Sequence, residues 1–306
     1  MKTRKISYVS LGCAKNQVDF EYLIGELSQD GFVSESDPAK CDAVIINTCG
    51  FIEPAVKEAV DNILQMENII SKKAKLIVTG CMVERYKEEI LKEMPEIDFV
   101  TGVGKLSEAA DYLRELFHIE KSSEKVVRAI TNVPYYAYVK ISEGCNNTCA
   151  FCVIPNIRGK LKSRTMEDIE EEIDLLVKQG VQEIIIISQD TTQYGLDIYN
   201  KVMLLPLMEK LTSKFQNTLF RMLYLNPEGV TKEVIEFVAK TKNVIKYFEV
   251  PVQHASDNIL LKMRRASTRE VIDNVFNNIR ELCPEAFIRT TFIVGFPGEQ
   301  EEDYME

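Results

Sequence analysis

This sequence predicts an α/β protein built from two parallel-sheet domains, the second a partial (β/α) barrel. Three observations carry that prediction. Short β-rich runs alternate with helical stretches over nearly all of the 306 residues, the pattern of parallel strands joined by helical crossovers. The alternation breaks once, at the polar, non-periodic run HIEKSSEKVVRAITN of residues 118–132, which reads as a linker. Apolar residues make up 45% and charged residues 27%, enough for a sizeable core and unlike the composition of a disordered chain. The expected boundaries are an N-terminal domain at 1–118, a linker at 119–133 and a second domain at 134–306.

In the first domain the apolar runs Lys5–Ser10, Ala43–Thr48, Lys75–Gly80 and Ile97–Thr101 read as strands, with a further short one near Phe32. Between them Val18–Ser28, Pro54–Ile69, Val83–Lys92 and Leu106–Phe117 have helical periodicity, and Pro54 suits a first helical turn. The domain is therefore expected to be flavodoxin-like. The second domain gives strands at Ala137–Ile141, Glu183–Ser188, Leu219–Leu225, Ile245–Pro251 and Phe287–Val294. Helices are expected near Met166–Gln179, Leu204–Phe215, Thr231–Lys240, Ser256–Met263 and Arg269–Leu282. Five βα units favour a partial or complete barrel over a second open sheet. The chain stops inside a predicted helix, at EQEEDYME, so the barrel is expected to be truncated at its C-terminus.

Charge and hydropathy narrow the partners. The net charge is −10, with −6 carried by residues 1–118 and −4 by the rest. Neither part reads as a nucleic-acid surface, and a basic target suits the chain better. No apolar run reaches the roughly 18 residues of a membrane span, and the start, MKTRKISYVSLGC, lacks a signal-peptide core. No membrane association is expected, and the expected location is the cytoplasm.

Eight cysteines in such a compartment point to metal or redox chemistry rather than disulfides. With only His118 and His254 in the chain, a site with several metal ligands must rest mainly on thiolates. Cys145, Cys149 and Cys152 form a Cys-x3-Cys-x2-Cys array in EGCNNTCAFC, directly after the first strand of the second domain. Three thiolates so close can hold one cubic iron-sulfur cluster and leave a fourth iron open to a substrate or cofactor. A zinc site would need a distant His118 or His254 as fourth ligand. Cys13, Cys49 and Cys81 each end a predicted strand, in SLGC, NTCG and TGCM. Carboxyl ends of parallel strands face the ligand crevice of an open α/β sheet, so these three could converge on a second metal centre; small buried core cysteines are the other reading. Cys41 and Cys283 lack such context and read as structural thiols.

Cys-x3-Cys-x2-Cys after the first barrel strand, with an aromatic residue, Phe151, before the last cysteine, resembles the radical S-adenosylmethionine superfamily. Together with SLGCAKNQVDFE and YVKISEGCNNTCAFCVIPNIRGKLKSR, the resemblance is to the methylthiotransferases and covers nearly the whole chain. It implies two 4Fe-4S clusters: a radical-generating one on Cys145, Cys149 and Cys152, and an auxiliary one on Cys13, Cys49 and Cys81. It also implies S-adenosylmethionine in two roles, as methyl donor to sulfur and as source of a 5'-deoxyadenosyl radical that activates a C–H bond, and an electron donor such as flavodoxin or ferredoxin. SLGCAKN and ISQDTTQYG resemble the RimO-type branch, which modifies the β carbon of an aspartate in ribosomal protein uS12. One alternative is the MiaB type, acting on N6-isopentenyladenosine in tRNA, which more often has Gln-Asn-Val-Asn where this chain has Gln189-Asp190-Thr191-Thr192; the other is a non-catalytic iron-sulfur protein. Phe20 departs from the family's usual Ser in V-D-S-E.

Under the same resemblance, Arg158 and Arg164 could pair with the carboxylate of S-adenosylmethionine, since guanidinium matches carboxylate geometry; a solvated basic face is the other reading. Gln189 and Asp190 end the second barrel strand, where active-site groups project, or cap it. Glu299, in FIVGFPGE, lies where the superfamily often places adenine contacts. His254 reads as a hydrogen-bonded loop residue, and Arg264 and Arg265 as a solvated helix end. The family's C-terminal TRAM domain and a sixth barrel strand have no counterpart in these residues, so poor work on the target is expected of a chain ending here.

Overall fold

The computed structural model describes residues 3–131 and 133–306; Met1, Lys2 and Asn132, the last within the expected linker, lie outside the described residues. The chain forms two compact units, Met1–Thr131 with Asn156–Arg158, and Asn132–Pro155 with Gly159–Glu306.

The first unit runs β1 (Arg4–Ser10), α1 (Ala14–Gln29), β2 (Phe32–Ser34), β3 (Ala43–Thr48), α2 (Glu53–Ile69), β4 (Lys75–Gly80), α3 (Cys81–Glu93), β5 (Phe99–Thr101) and α4 (Ser107–Phe117). Its strands are all parallel, in the order β2-β1-β3-β4-β5, which is the expected flavodoxin-like order. β3 is buried along its whole length. Val44 and Ile46 pack with α2 and α3 residues such as Ile63 and Val83. Ala43 and Ile45 pack with α1 and α4 residues such as Leu23 and Leu113. Each fully buried isoleucine contributes about 2 kcal/mol, so a continuous apolar run is what a strand covered on both faces requires. Phe20, the family departure, is fully buried there, its ring edge-on to Tyr8 with centroids 5.6 Å apart. Residues 119–131 run without helix or strand beside α1, with Ala129 N–H donating to Glu21 O at 3.2 Å and Thr131 N–H to the Glu21 carboxylate at 3.0 Å.

The second unit runs β6 (Tyr136–Lys140), β7 (Ser142–Glu143), α5 (Ile154–Arg158, whose last three residues belong to the first unit), β8 (Lys162–Ser163), α6 (Met166–Lys178), β9 (Glu183–Ile187), α7 (Leu196–Tyr199), α8 (Leu204–Lys214), β10 (Leu219–Met222), α9 (Lys232–Lys240), β11 (Tyr247–Glu249), α10 (Asp257–Lys262), α11 (Arg269–Leu282), β12 (Phe287–Arg289) and α12 (Glu301–Met305). β6, β9 and β10 form one parallel sheet and β11 and β12 another. A bridge from Phe220 to Val244 and a hydrogen bond from Leu225 N–H to Glu249 O at 3.1 Å carry the arc from β10 towards β11. The result is the expected partial barrel of five parallel strands. Thr165, Thr231 and Thr268 cap α6, α9 and α11, each side chain accepting an N–H three residues on, and so fix where three crossovers turn helical. The β10 strand is shorter than predicted because Tyr224 takes a φ of 61° and ends the extended run. No described helix is long and apolar enough to cross a membrane.

Candidate functional site

Strand register places the first unit's cysteines. Ser10 pairs with Asn47, and Asn47 with Thr79, so β1, β3 and β4 end almost level. Cys13, Cys49 and Cys81 follow within three residues of that row. β1 and β3 flank the point where strand order reverses, the position at which open α/β sheets bind ligands. Cys13 is the residue before α1 and Cys81 the first residue of α3, so two of the thiols stand at helix N-termini.

The backbones approach closely here. Gly12 has φ +96°, and a Cβ on it would lie 2.9 Å from the Cys49 Cβ; one on Gly50 would lie 2.8 Å from the Cys81 carbonyl oxygen. A buried polar web holds the strand ends. Asn16 Nδ2 donates to Leu11 O at 2.8 Å and Thr48 O at 3.1 Å. Asn47 Nδ2 donates to Asn16 O at 3.0 Å, and Thr48 Oγ1 to Thr79 O at 2.6 Å. Burial pushes the Cys81 thiol up; the Arg158 guanidinium pulls it down, and Cys13 and Cys49 push it further up. Burial likewise raises Cys49, against the Phe51 N–H and Arg158, with Cys13 adding to the rise.

In the second unit the Cys145–Cys152 loop leaves the carboxyl end of the β6 and β7 segment and is pinned along its length. Cys145 N–H donates to Gly159 O at 3.1 Å, Ala150 N–H to Met263 O at 2.9 Å, and Asn147 N–H to Cys145 Sγ at 3.4 Å. Asn147 Nδ2 donates to Asp190 Oδ2 at 2.8 Å, and Gln193 Nε2 donates to Asn147 Oδ1 at 2.8 Å. Burial raises the Cys145 thiol, the Asn147 N–H lowers it, and Asp190, Cys152 and Cys149 add to the rise. Among the described residues no three His, Cys, Asp or Glu side chains stand at single-ion spacing; the thiolates of a cluster hold different irons and need not converge on a point.

Among the described residues of this unit, four buried side-chain polar atoms have no hydrogen-bond partner: Ser142 Oγ, Ser188 Oγ, Gln189 Oε1 and Arg265 Nε. Ser142 lies two residues beyond β6, and Ser188 and Gln189 directly follow β9. Each such atom costs about 1–3 kcal/mol if left dry and unpaired. With Ser142, Ser188 and Gln189 at strand ends and Arg265 beside Cys149 of the cysteine loop, these atoms fit a polar ligand such as S-adenosylmethionine, while three thiols fit an iron-sulfur cluster with one open iron.

Each residue that the sequence groups with S-adenosylmethionine has its own partners in the structure. Gln189 keeps a free carbonyl oxygen there while its Nε2 donates to Glu143 Oε1 at 2.6 Å. Asp190 is buried and accepts from Asn147, from Gln193 Nε2 at 2.9 Å and from Thr192 Oγ1 at 2.6 Å. Its carboxylate anchors the cysteine loop, and burial raises its pKa. Arg164 donates to Asp168 Oδ2 at 2.6 Å, to Lys140 O at 2.9 Å and to Glu172, clamping the start of α6. Glu299 accepts from Phe296 N–H at 2.8 Å and lies 3.6 Å from His254 Nε2, closing its own turn. His254 Nδ1 accepts from Ser256 N–H at 2.9 Å, as expected of a loop histidine. Arg158 belongs to the first unit and lies on Cys81. Arg265 is no solvated helix end: its Nη1 is 3.9 Å from Cys149 Sγ and its Nη2 donates to Asn226. Sequence reading also missed Asn147 and Asn16, although both stand inside the quoted cysteine motifs.

Replacing Asp190 by alanine removes the acceptor of Asn147, Gln193 and Thr192 together. We expect about 3 kcal/mol lower stability by urea unfolding, and less iron retained by the Cys145–Cys152 loop after gel filtration.

A parallel-strand arc carrying a Cys-x3-Cys-x2-Cys loop at the end of its first strand defines a radical S-adenosylmethionine enzyme. The radical SAM superfamily model matches residues 139–306, and a model described as an uncharacterized protein family, UPF0004, matches residues 5–102. Among solved structures, the fold resembles that of the radical S-adenosylmethionine methyltransferase TsrM from Kitasatospora setae, solved with cobalamin and a [4Fe-4S] cluster (TM-score 0.68, 16% identity, 99% of this chain and 71% of that one). It also resembles the cobalamin-dependent radical enzyme OxsB (TM-score 0.63, 13% identity, 95% and 49%). Curated relatives named ribosomal protein uS12 methylthiotransferase RimO are closer in sequence. That of Clostridium tetani is 43% identical over 99% of this chain and 71% of its own length, and that of Aquifex aeolicus 45% over 99% and 68%. The chain belongs to the RimO family of radical SAM methylthiotransferases.

Proposed function

We propose that this enzyme methylthiolates ribosomal protein uS12, at the β carbon of an aspartate, with S-adenosylmethionine serving both as methyl donor and as radical source. The reading gives the chain two 4Fe-4S clusters. Cys145, Cys149 and Cys152 would hold one, with the unpaired polar atoms of Ser142, Ser188, Gln189 and Arg265 facing S-adenosylmethionine; Cys13, Cys49 and Cys81 would hold the auxiliary one. When bound, these groups supply one-electron cleavage of the sulfonium and sulfur for transfer. The chain's own part is to place them: Asp190 and Asn147 fix the first loop, and Asn16, Asn47 and Thr48 fix the strand ends that carry the second triplet. A small electron carrier of the flavodoxin or ferredoxin type completes the reaction.

The carrying observation is the pair of cysteine triplets at carboxyl ends of parallel strands, in a chain whose relatives bear the uS12 methylthiotransferase name. The test is anaerobic reconstitution to about eight irons, two cubes of four, followed by incubation with uS12 and, separately, with N6-isopentenyladenosine-containing tRNA. Mass analysis should show one methylthio group replacing one hydrogen on uS12. Product on tRNA alone would refute the substrate; four irons or fewer would refute the second cluster.

A further inference from the structure

Arg158 is the feature that the reading above leaves without a role. It follows Cys152 by six residues, and its side chain is 1% exposed. Its guanidinium donates to Asp19 Oδ2 at 2.9 Å, meets Cys81 Sγ at 3.3 Å and reaches Asn16 Oδ1 at 3.4 Å. Burying a guanidinium costs several kcal/mol unless charge and hydrogen bonds compensate it. Asp19 supplies one counter-charge. The planar fork still aims a second edge at sulfur, a weak acceptor when it is a thiol and a strong one when it is a thiolate bound to iron.

We propose that Arg158 is a positioning residue of the auxiliary centre, donating to the Cys81 sulfur and balancing the negative charge of the group held by Cys13, Cys49 and Cys81. This rests on the assignment of a cluster to those cysteines. An iron cube on thiolates is anionic and becomes more so when it takes up an electron. Net charge and hydrogen bonds to sulfur are among the levers that set its potential. A buried cation on one ligand sulfur favours the reduced form, so Arg158 raises the midpoint potential. Asp19 opposes that effect in part and holds the fork in place.

The test uses the full chain with Cys145, Cys149 and Cys152 all replaced by alanine, so that only the first triplet can hold a cluster. The protein is reconstituted with ferrous iron and sulfide and titrated with dithionite under electron paramagnetic resonance, one electron entering the cluster from the reductant. Arg158→Met should lower the midpoint by at least a tenfold change in the reduction equilibrium, about 59 mV for one electron. Asp19→Asn, which keeps the cation and removes its counter-charge, should raise it, and decides the matter if the methionine variant does not fold by circular dichroism. A loaded cluster whose midpoint neither substitution moves overturns the role of Arg158 alone. Failure of the triple-alanine parent to take up iron overturns it together with the auxiliary cluster.

Discussion

Cys145→Ala is expected to abolish reductive cleavage of S-adenosylmethionine, with 5'-deoxyadenosine formation falling more than about a hundredfold, beyond the 10–100-fold loss typical of an outer-shell partner. The expectation follows from how the loop is held. Its backbone is fixed by Ala150 N–H on Met263 O and by Asn147 on Asp190, and the Cys145 N–H on Gly159 O survives a change of side chain. Alanine therefore deletes one sulfur and leaves the loop in place, and only the Asn147 N–H loses its sulfur acceptor. Chromatographic measurement of 5'-deoxyadenosine, with iron content measured alongside, checks it: iron should fall by about one cube while product from the first-unit cysteines' chemistry also stops for want of a radical. Cleavage at the parent rate would remove Cys145 from the ligand set.

The contrast between what was and was not legible in the sequence follows the range of the interactions. β3 and β4 were legible because a strand buried on both faces must be a continuous apolar run, and their cysteines because each stands at the end of such a run. Boundaries were less so: α1 begins at Ala14, four residues before the predicted start, because the turn at Gly12 and Cys13 leads straight into helix. Arg265 was misread for a local reason. Arg264 takes a left-handed φ of 55°, and Arg264 N–H and Arg265 N–H donate to Leu261 O and Leu260 O, a Schellman ending without its usual glycine. Nothing in the letters Met-Arg-Arg announces that turn. The contacts of Arg158 were hidden for a distant reason, since its partners Asp19 and Cys81 lie far away in sequence and no periodicity connects them. Asp190 was found as a strand-end residue, but its commitment to Asn147 and Thr192 depends on side-chain geometry that spacing does not encode.

Cys49→Ala should separate the two activities that Cys145→Ala removes together: S-adenosylmethionine cleavage persists, and methylthiolation of uS12 stops. The substitution is nearly silent for the fold. Gly12 packs against the Cys49 Cβ, which alanine keeps, while Asn16, Asn47 and Thr48 hold the strand ends without using the Cys49 thiol. A stability change of about 1 kcal/mol is expected, too small to unfold the unit. The Cys145–Cys152 loop belongs to the other unit. Iron should again fall by one cube, so iron content alone does not separate the two variants, but paired assays of 5'-deoxyadenosine and of modified uS12 do. Methylthiolated uS12 from Cys49→Ala would remove the auxiliary centre from the mechanism. Loss of cleavage as well as product would mean that the two triplets do not act as separate sites, because a sulfur-handling centre that merely receives the outcome of cleavage has no reason to control it.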